Sequence, residues 1–443
     1  MTIQEVAEKS PKYFTKSEDN TVPVGYKKTE IGMIPLEWQL IELRDVCSKI
    51  QDGNYGALYP KASEFIVYGI PFITSKVLGK AGNINLDKID YISNEKHQIL
   101  LKAHLELNDV LFTNRGASVG AIGYVDARIS NGNIGPQLTL LRANHLVDSR
   151  YLFQIMKSSW VQKQISSQDS GSAMNFFGVG TTGKFKLPIP DNLKEQRSIA
   201  TALSDVDALI GELEKLITKK QAIKTATMQQ LLTGRTRLSQ FALREDGSKK
   251  GYKQSELGAI PEDWEAVPLS QVMSIRHGKS QKNVESVNGI YPIFATGGQI
   301  GTASSYLYDK PSVLIGRKGT INKPKFVDTP FWTVDTLFYS EISKHADVKF
   351  IFYKFCMVDW MQYNEASGVP SLNASTIENV VVSLPEYDEQ VEIAVILSDM
   401  DEELQLLEQR LSKTHQIKQG MMQELLTGKI RLVKPEGDHH GSA

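Results

Sequence analysis

The chain is written twice, and this repeat constrains the fold more than any other feature. Residues 26–46 read YKKTEIGMIPLEWQLIELRDV and residues 252–272 read YKQSELGAIPEDWEAVPLSQV, so Tyr, Gly, Ile-Pro, Trp and Leu recur at an offset of 226. A second pair follows at an offset of 194. Residues 195–238 run from Glu-Gln through LSDVD to LLTGRTRL, and residues 389–432 run from Glu-Gln through LSDMD to LLTGKIRL. The order is variable block, helix, variable block, helix. A frame duplicated in this way presents two different surfaces on near-equivalent supports.

The second repeat is helical in pattern. Ile199, Leu203, Val206, Ile210, Leu213 and Ile217 are spaced 4, 3, 4, 3, 4, and Ile393, Leu397, Met400, Leu404, Leu407 and Leu411 repeat that spacing. This is a heptad seam. Lys220 and Lys224 break the first seam, and Thr414 and Lys418 break the second at matching places, before Met228, Leu231, Met421 and Leu425 resume them. Neither stretch contains proline, and Gly234 and Gly428 stand where helices stop. A helix over 195–233 would be about 58 Å long and needs a partner for its apolar face. Pairing with its own repeat, antiparallel, satisfies both. Parallel pairing would require the connection from Gly234 to Tyr252 to span the helix almost fully extended, at ~3.3 Å per residue. An intermolecular coiled coil is the remaining alternative.

The variable blocks share a plan rather than a sequence. Each opens on Ile-Pro-x-x-Trp (Trp38, Trp264), both tryptophans expected in the core, and each has a strand-like PFITS or PIFAT piece. An apolar strand then enters a basic turn, VLFTNRGASVG over 110–120 and VLIGRKGTIN over 313–322. Aromatic-rich helices are expected at 151–160 and 350–360, then Ser170-Gly171 or Ser367-Gly368, and Pro188 or Pro385 after the same interval. Mixed signals of this kind describe α/β or α+β domains. The expected division is an arm over 1–25, a block over 26–190, a helix over 191–234, a linker over 235–251, a block over 252–386, a helix over 387–428 and a tail over 429–443.

The polar turns carry the chemical interest. Asn114, Arg115 and Ser118 in one block, and Arg317, Lys318 and Thr320 in the other, follow buried-type strands beside glycines that permit close approach. Arg and Lys can fork onto guanine, Asn onto adenine, and any of them onto phosphate. Lys184 and Lys186, and Lys279, Lys282, Lys323 and Lys325, are further candidates for phosphate contact, or solvated surface residues. Charge permits nucleic acid without announcing it. Residues 39–187 carry net +4 and residues 265–384 net +1, while residues 385–428 carry net −7. A basic partner could supply more.

Other classes find little support. No run approaches the ~18 apolar residues of a membrane span, and the N-terminus lacks an apolar signal core, arguing against export. Cys47 and Cys356 lack CxxC spacing and read as reduced, buried thiols of a cytosolic protein. Residues 178–183 match GxGxxG, but KFKLPIP follows, a strand ending in prolines rather than a helix. There is no GxxxxGK[ST], HExxH or GxSxG motif and no Asn/Asp-Pro-Pro-aromatic motif of an amino-methyltransferase. No catalytic centre is read from the chain, and no metal site.

The tandem of block and helix, the IPxxW openings, the EQxxIAxxLSxxD helix starts and the LLTGxxRL endings together resemble the specificity subunit of a type I restriction-modification system, over roughly residues 26–432. The resemblance implies an α/β (α+β) tandem repeat, with two target-recognition domains separated by an antiparallel two-helix coiled-coil spacer. It implies a non-catalytic, cytoplasmic prokaryotic protein that reads a bipartite double-stranded DNA site with a fixed unspecified gap. It also implies docking of two modification (methyltransferase) subunits and two restriction subunits, with S-adenosylmethionine and ATP held by those partners. The alternative from a different class is a scaffold that binds methyltransferase-type subunits without reading DNA.

Overall fold

A computed structural model describes residues 22–79, 82–102, 104–167 and 176–433. The expected Ser170-Gly171 turn, most of the N-terminal arm and the HHGSA tail lie outside them. The described chain forms two compact units: residues up to Glu212 together with those from Ser412, and Leu213–Leu411. Each unit therefore joins one variable block to the opening half of its own long helix and the closing half of the other.

In the first unit a four-stranded antiparallel sheet runs in the order Cys47–Asp52, Leu138–Ala143, Val110–Thr113, Ile122–Tyr124. All four residues of Val110–Thr113 are buried, as a continuous apolar run in a central strand requires. A second sheet holds Ile70–Ile73, the PFITS piece, between an antiparallel strand Asp90–Ile92 and a parallel strand Asn133–Ile134. A short ladder pairs Trp38–Glu42 with Lys186–Pro190, and the opening forms the hairpin Tyr26–Thr29 and Gly32–Pro35.

The second unit repeats this plan. Its main sheet runs Met273–His277, Leu337–Ile342, Ser312–Gly316, Lys325–Val327. Tyr291–Ala295, the PIFAT piece, pairs in parallel with Trp332–Thr333, and Glu265–Pro268 pairs with Val381–Leu384. One core gathers Trp264, Phe338, Phe350, Ile377, Ile393 and Leu397. Trp38 and Trp264 are both fully buried, as expected.

The aromatic helices depart from expectation. Residues 151–160 do not form one helix. Ser149–Met156 ends, and Ser159–Ser167 begins with the Ser158 hydroxyl accepting from the Val161 amide at 3.4 Å. Val348–Met357 likewise ends before a 3₁₀ turn at Trp360–Tyr363, capped by Asp359, whose carboxylate accepts from the Met361 amide. Ser and Asp offer the backbone a capping alternative that an apolar pattern does not reveal.

The long helices span Leu193–Leu232 and Tyr387–Leu425. Within each unit they run antiparallel: Asp207 pairs with Lys418 in one, and Lys224 with Asp401 and Lys220 with Glu403 in the other. The seam is dry near the blocks, where Ile199, Leu203, Val206, Ile210 and Leu213 are buried, as are Ile393, Leu397 and Leu404, while Ile217, Met400, Leu407 and Leu411 are half-buried. The polar breaks have a use. Lys418 and Lys224 reach the second Asp of the LSDVD and LSDMD motifs, where Gln154 and Tyr353 also donate, at 3.1 and 2.7 Å. Although burial favours the neutral form of Asp207, Lys157 and Lys418 hold its carboxyl below the usual range. Thr414 is buried.

The repeated motifs meet at one junction per unit. The Trp38 indole donates to Glu195, which is buried and ion-paired with Arg431; Trp264 donates to Glu389, paired with Arg237. The Tyr26 and Tyr252 hydroxyls donate to the carbonyls of Gly428 and Gly234. Gln196 accepts from the Asp148 amide and donates to the Leu146 and Pro190 carbonyls; Gln390 does the same with Asp347, His345 and Pro385. The glycines end their helices at φ +69° and +70°. A Cβ on Gly428 would sit 2.3 Å from Pro35, and one on Gly234 2.4 Å from Pro261. The LLTG ending of each repeat is thus fitted to the IPxxW opening of the other.

Candidate nucleic-acid interface

The two basic turns occupy equivalent backbone positions. Leu138 pairs with Thr113 as Leu337 pairs with Gly316, so Asn114–Arg115–Gly116 corresponds to Arg317–Lys318–Gly319. The amides of Asn114 and Arg317 donate to Gln137 and Thr336, and their carbonyls accept from Phe177 and Leu372. Gly116 and Gly319 take φ near +90°. The neighbouring strand ends correspond too. Gly53 and Gly278, whose Cβ positions are filled by neighbouring backbone carbonyls, make Asp52 and His277 counterparts, one in each unit.

The side chains on this shared frame differ. In the first unit Asp52 accepts from Tyr55 at 2.9 Å, Thr139 at 2.6 Å and Asn114 at 3.1 Å. Asn114 is fully buried and its amide also donates to Thr139 and the Pro136 carbonyl. This corrects the expectation that Asn114 offers its amide to a base: those donors are spent on the fold. Arg115 stands on this support, its guanidinium 4.6 Å from the Tyr55 ring and 5.0 Å from the Phe176 ring, donating to the Pro136 carbonyl at 2.8 Å. Burial, followed by the bond to Asp52, pushes the Tyr55 hydroxyl up to about 12, so it stays a donor. Ser118 is exposed.

In the second unit the His277 ring packs against an aromatic neighbour, 4.9 Å from Phe338. Arg317 and Lys318 join it around a cleft of about 400 Å³ that also includes Glu365 and Asn373. Thr320 closes the same turn, its carbonyl 2.2 Å from where a Cβ on Gly316 would be.

The remaining candidates scatter. Lys186 is half-buried on the small ladder and ion-paired with Glu42 at 3.1 Å. Lys184, Lys279, Lys282 and Lys323 are exposed. Lys325 lies 4.0 Å over the Phe294 ring, and burial lowers its pKa. Both cysteines are free, but Cys47 is only half-buried and Cys356 is exposed, whereas the sequence predicts both to be buried. Sequence reasoning missed Asp52, Tyr55, Phe176 and His277. Asp52-Gly53 and His277-Gly278 recur at an offset of 225, a signal present in the sequence yet hidden by one shifted residue. Among the described residues no helix is long and apolar enough to cross a membrane, and no cluster of side chains could hold a metal.

The type I restriction modification DNA specificity domain model matches residues 35–225 and again 261–416. Two Methanocaldococcus jannaschii proteins are similar over most of both chains. They are the MjaX specificity subunit of a type I restriction enzyme, provisionally assigned, 27% identical over 92% of this chain and 97% of that one. The other is the MjaVIII specificity subunit, 25% identical over 90% and 94%. In fold the chain is similar to the crystal structure of a type I restriction-modification S subunit from M. genitalium, with a TM-score of 0.62 at 15% identity over 92% of this chain and 97% of that one. With a duplicated frame, two different polar turns on it and the family model matched twice, the chain belongs to the type I restriction-modification DNA specificity family.

Proposed function

We propose that this chain reads a bipartite double-stranded DNA target for a type I restriction-modification complex, one half-site per unit, across a fixed unspecified gap. The observation that carries this is the equivalent turn dressed differently: Asp52, Tyr55 and Arg115 in one unit, His277, Arg317 and Lys318 in the other. One backbone presenting two chemistries is what reading two unlike half-sites requires. Base edges, not phosphates, distinguish sequences. Two readers entering the major groove from one face lie about one helical turn apart, ~10 bp. With half-sites of about 3–5 bp, roughly 6 bp remain between them. The chain contributes specificity and no catalytic step. Two methyltransferase subunits dock on it and, in the full complex, two restriction subunits, with S-adenosylmethionine and ATP on those partners and the assembly in the prokaryotic cytoplasm.

The test is a methylome. Co-expression with the cognate modification subunit, followed by long-read mapping of modified adenines, should return one split motif with a constant gap. An assembled complex that modifies no defined motif would refute the reading and favour a scaffold that holds methyltransferase subunits without reading DNA.

A further inference from the structure

We propose that the cleft beside His277 and Arg317 in the second unit is a guanine-reading subsite; this rests on the DNA-reading function above and gives it a chemical class. The argument is from donors and acceptors. Arg317 and Lys318 have no carboxylate partner among the described residues, whereas Arg142, Arg237, Arg276 and Arg431 are each ion-paired. Arg317 spends one Nη1 contact, at 3.3 Å, on the Asp335 carbonyl, which orients the guanidinium and leaves its other donors open. The cleft's carboxylate, Glu365, accepts from Asn373 and, at 2.6 Å, from Thr376, both on Oε1, which ties it to its own loop rather than to Arg317 or Lys318. His277 makes no hydrogen bond among the described residues and lies against Phe338. Around Arg317 and Lys318 the cleft therefore offers cationic donors that are unpaired among the described residues.

Guanine alone presents two acceptors, O6 and N7, on its major-groove edge, matching the arginine fork. Adenine would turn its N6 amino group toward two cations, and cytosine its N4 amino group. The exposed ammonium of Lys318 is a point charge suited to the adjoining phosphate. The first unit lacks this arrangement, since the carboxylate of Asp52 stands where His277 does.

The experiment uses the full chain assembled with its modification subunit, on duplexes carrying the mapped motif. Arg317→Ala should weaken specific binding roughly ten-fold or more, confined to one half-site, with binding to a random duplex changed less than about two-fold. Replacing the guanine of that half-site with 7-deazaguanine should weaken the wild type similarly and cost R317A nothing further. Should R317A fail to assemble, R317K keeps the charge and loses the fork, and should show the same relaxed discrimination. Equal loss on all DNA with a shallower salt dependence would make Arg317 a phosphate contact and overturn the assignment. So would a half-site without guanine, or indifference to 7-deazaguanine. A wild-type complex with no defined motif would instead refute the DNA-reading function itself.

Discussion

At the scale of the residue, a polar side chain that resembles a reader in the sequence can already be engaged by the fold. Asn114 looks like a base reader and is a buried strut; Lys186 looks like a phosphate contact and is ion-paired. Gly428 is held at φ +69° against Pro35, so Gly428→Ala adds a methyl where neither backbone nor neighbour can give way. A loss of about 1–3 kcal/mol is expected in denaturant melts; an unchanged midpoint would mean the helix end relaxes freely. Lys354 offers a second test. It is buried with no carboxylate partner among the described residues, donating to the Leu232 carbonyl and to Ser383 Oγ at 2.8 Å, and burial lowers its pKa to about 7. Ile155 fills the corresponding helical position in the other unit. The folded pKa lies below the unfolded value of about 10.4. Between these pH values the unfolded chain binds the proton more tightly, so the second unit gains stability as pH rises from about 7 toward 10. Lys354→Met should flatten that rise, and a slope unchanged by the substitution would assign it to other groups.

At the scale of the element, the informative object is the junction of Trp, Glu and Arg. Its members come from distant parts of the sequence, Trp38 and Glu195 with Arg431, Trp264 and Glu389 with Arg237. Glu195 and Glu389 are buried, so removing the arginine leaves a carboxylate without its countercharge. Arg431→Ala should cost about 3–5 kcal/mol and expose the first unit, and Arg237→Ala the second. Hydrogen exchange read separately around Trp38 and Trp264 distinguishes the two. If both variants loosened both units equally, the pairing of each ending with the other repeat's opening would not be what stabilises each unit. The polar breaks in the heptad seams belong here as well. Lys224 and Lys418 trade apolar burial for ion pairs with Asp401 and Asp207 that fix one antiparallel register, a use of buried charge for specificity rather than stability.

At the scale of the whole molecule, the proposed bipartite reading makes the long helices a ruler. Lys220 and Glu403 are opposed across the helix pair, which marks where paired insertions keep register. Four residues added at both positions lengthen each helix by about 6 Å, near two base-pair steps of ~3.4 Å. The mapped gap should grow by about 1–2 bp with both half-sites unchanged. Altered half-sites at a constant gap would refute the ruler.

Much of the architecture follows from the sequence alone. Repeats at two offsets, a 4, 3, 4, 3, 4 apolar spacing and glycines in LLTG determine two blocks and two long helices, because periodicity and helix stops are local properties of the chain. The basic turns, too, were visible as glycine-flanked polar stretches after apolar strands. Tertiary structure decided which of their side chains are available. Burial and pairing depend on neighbours far away in sequence: Asp52 reaches Asn114 and Thr139 across two strands, and Phe176 closes on Arg115. Only the folded sheets reveal Asp52 and His277 as counterparts, and only the second forms a cleft around Arg317 that holds His277 and Lys318. Pattern fixes where the chain turns; the desolvation and hydrogen bonding of each polar group are set by contacts that no local pattern encodes.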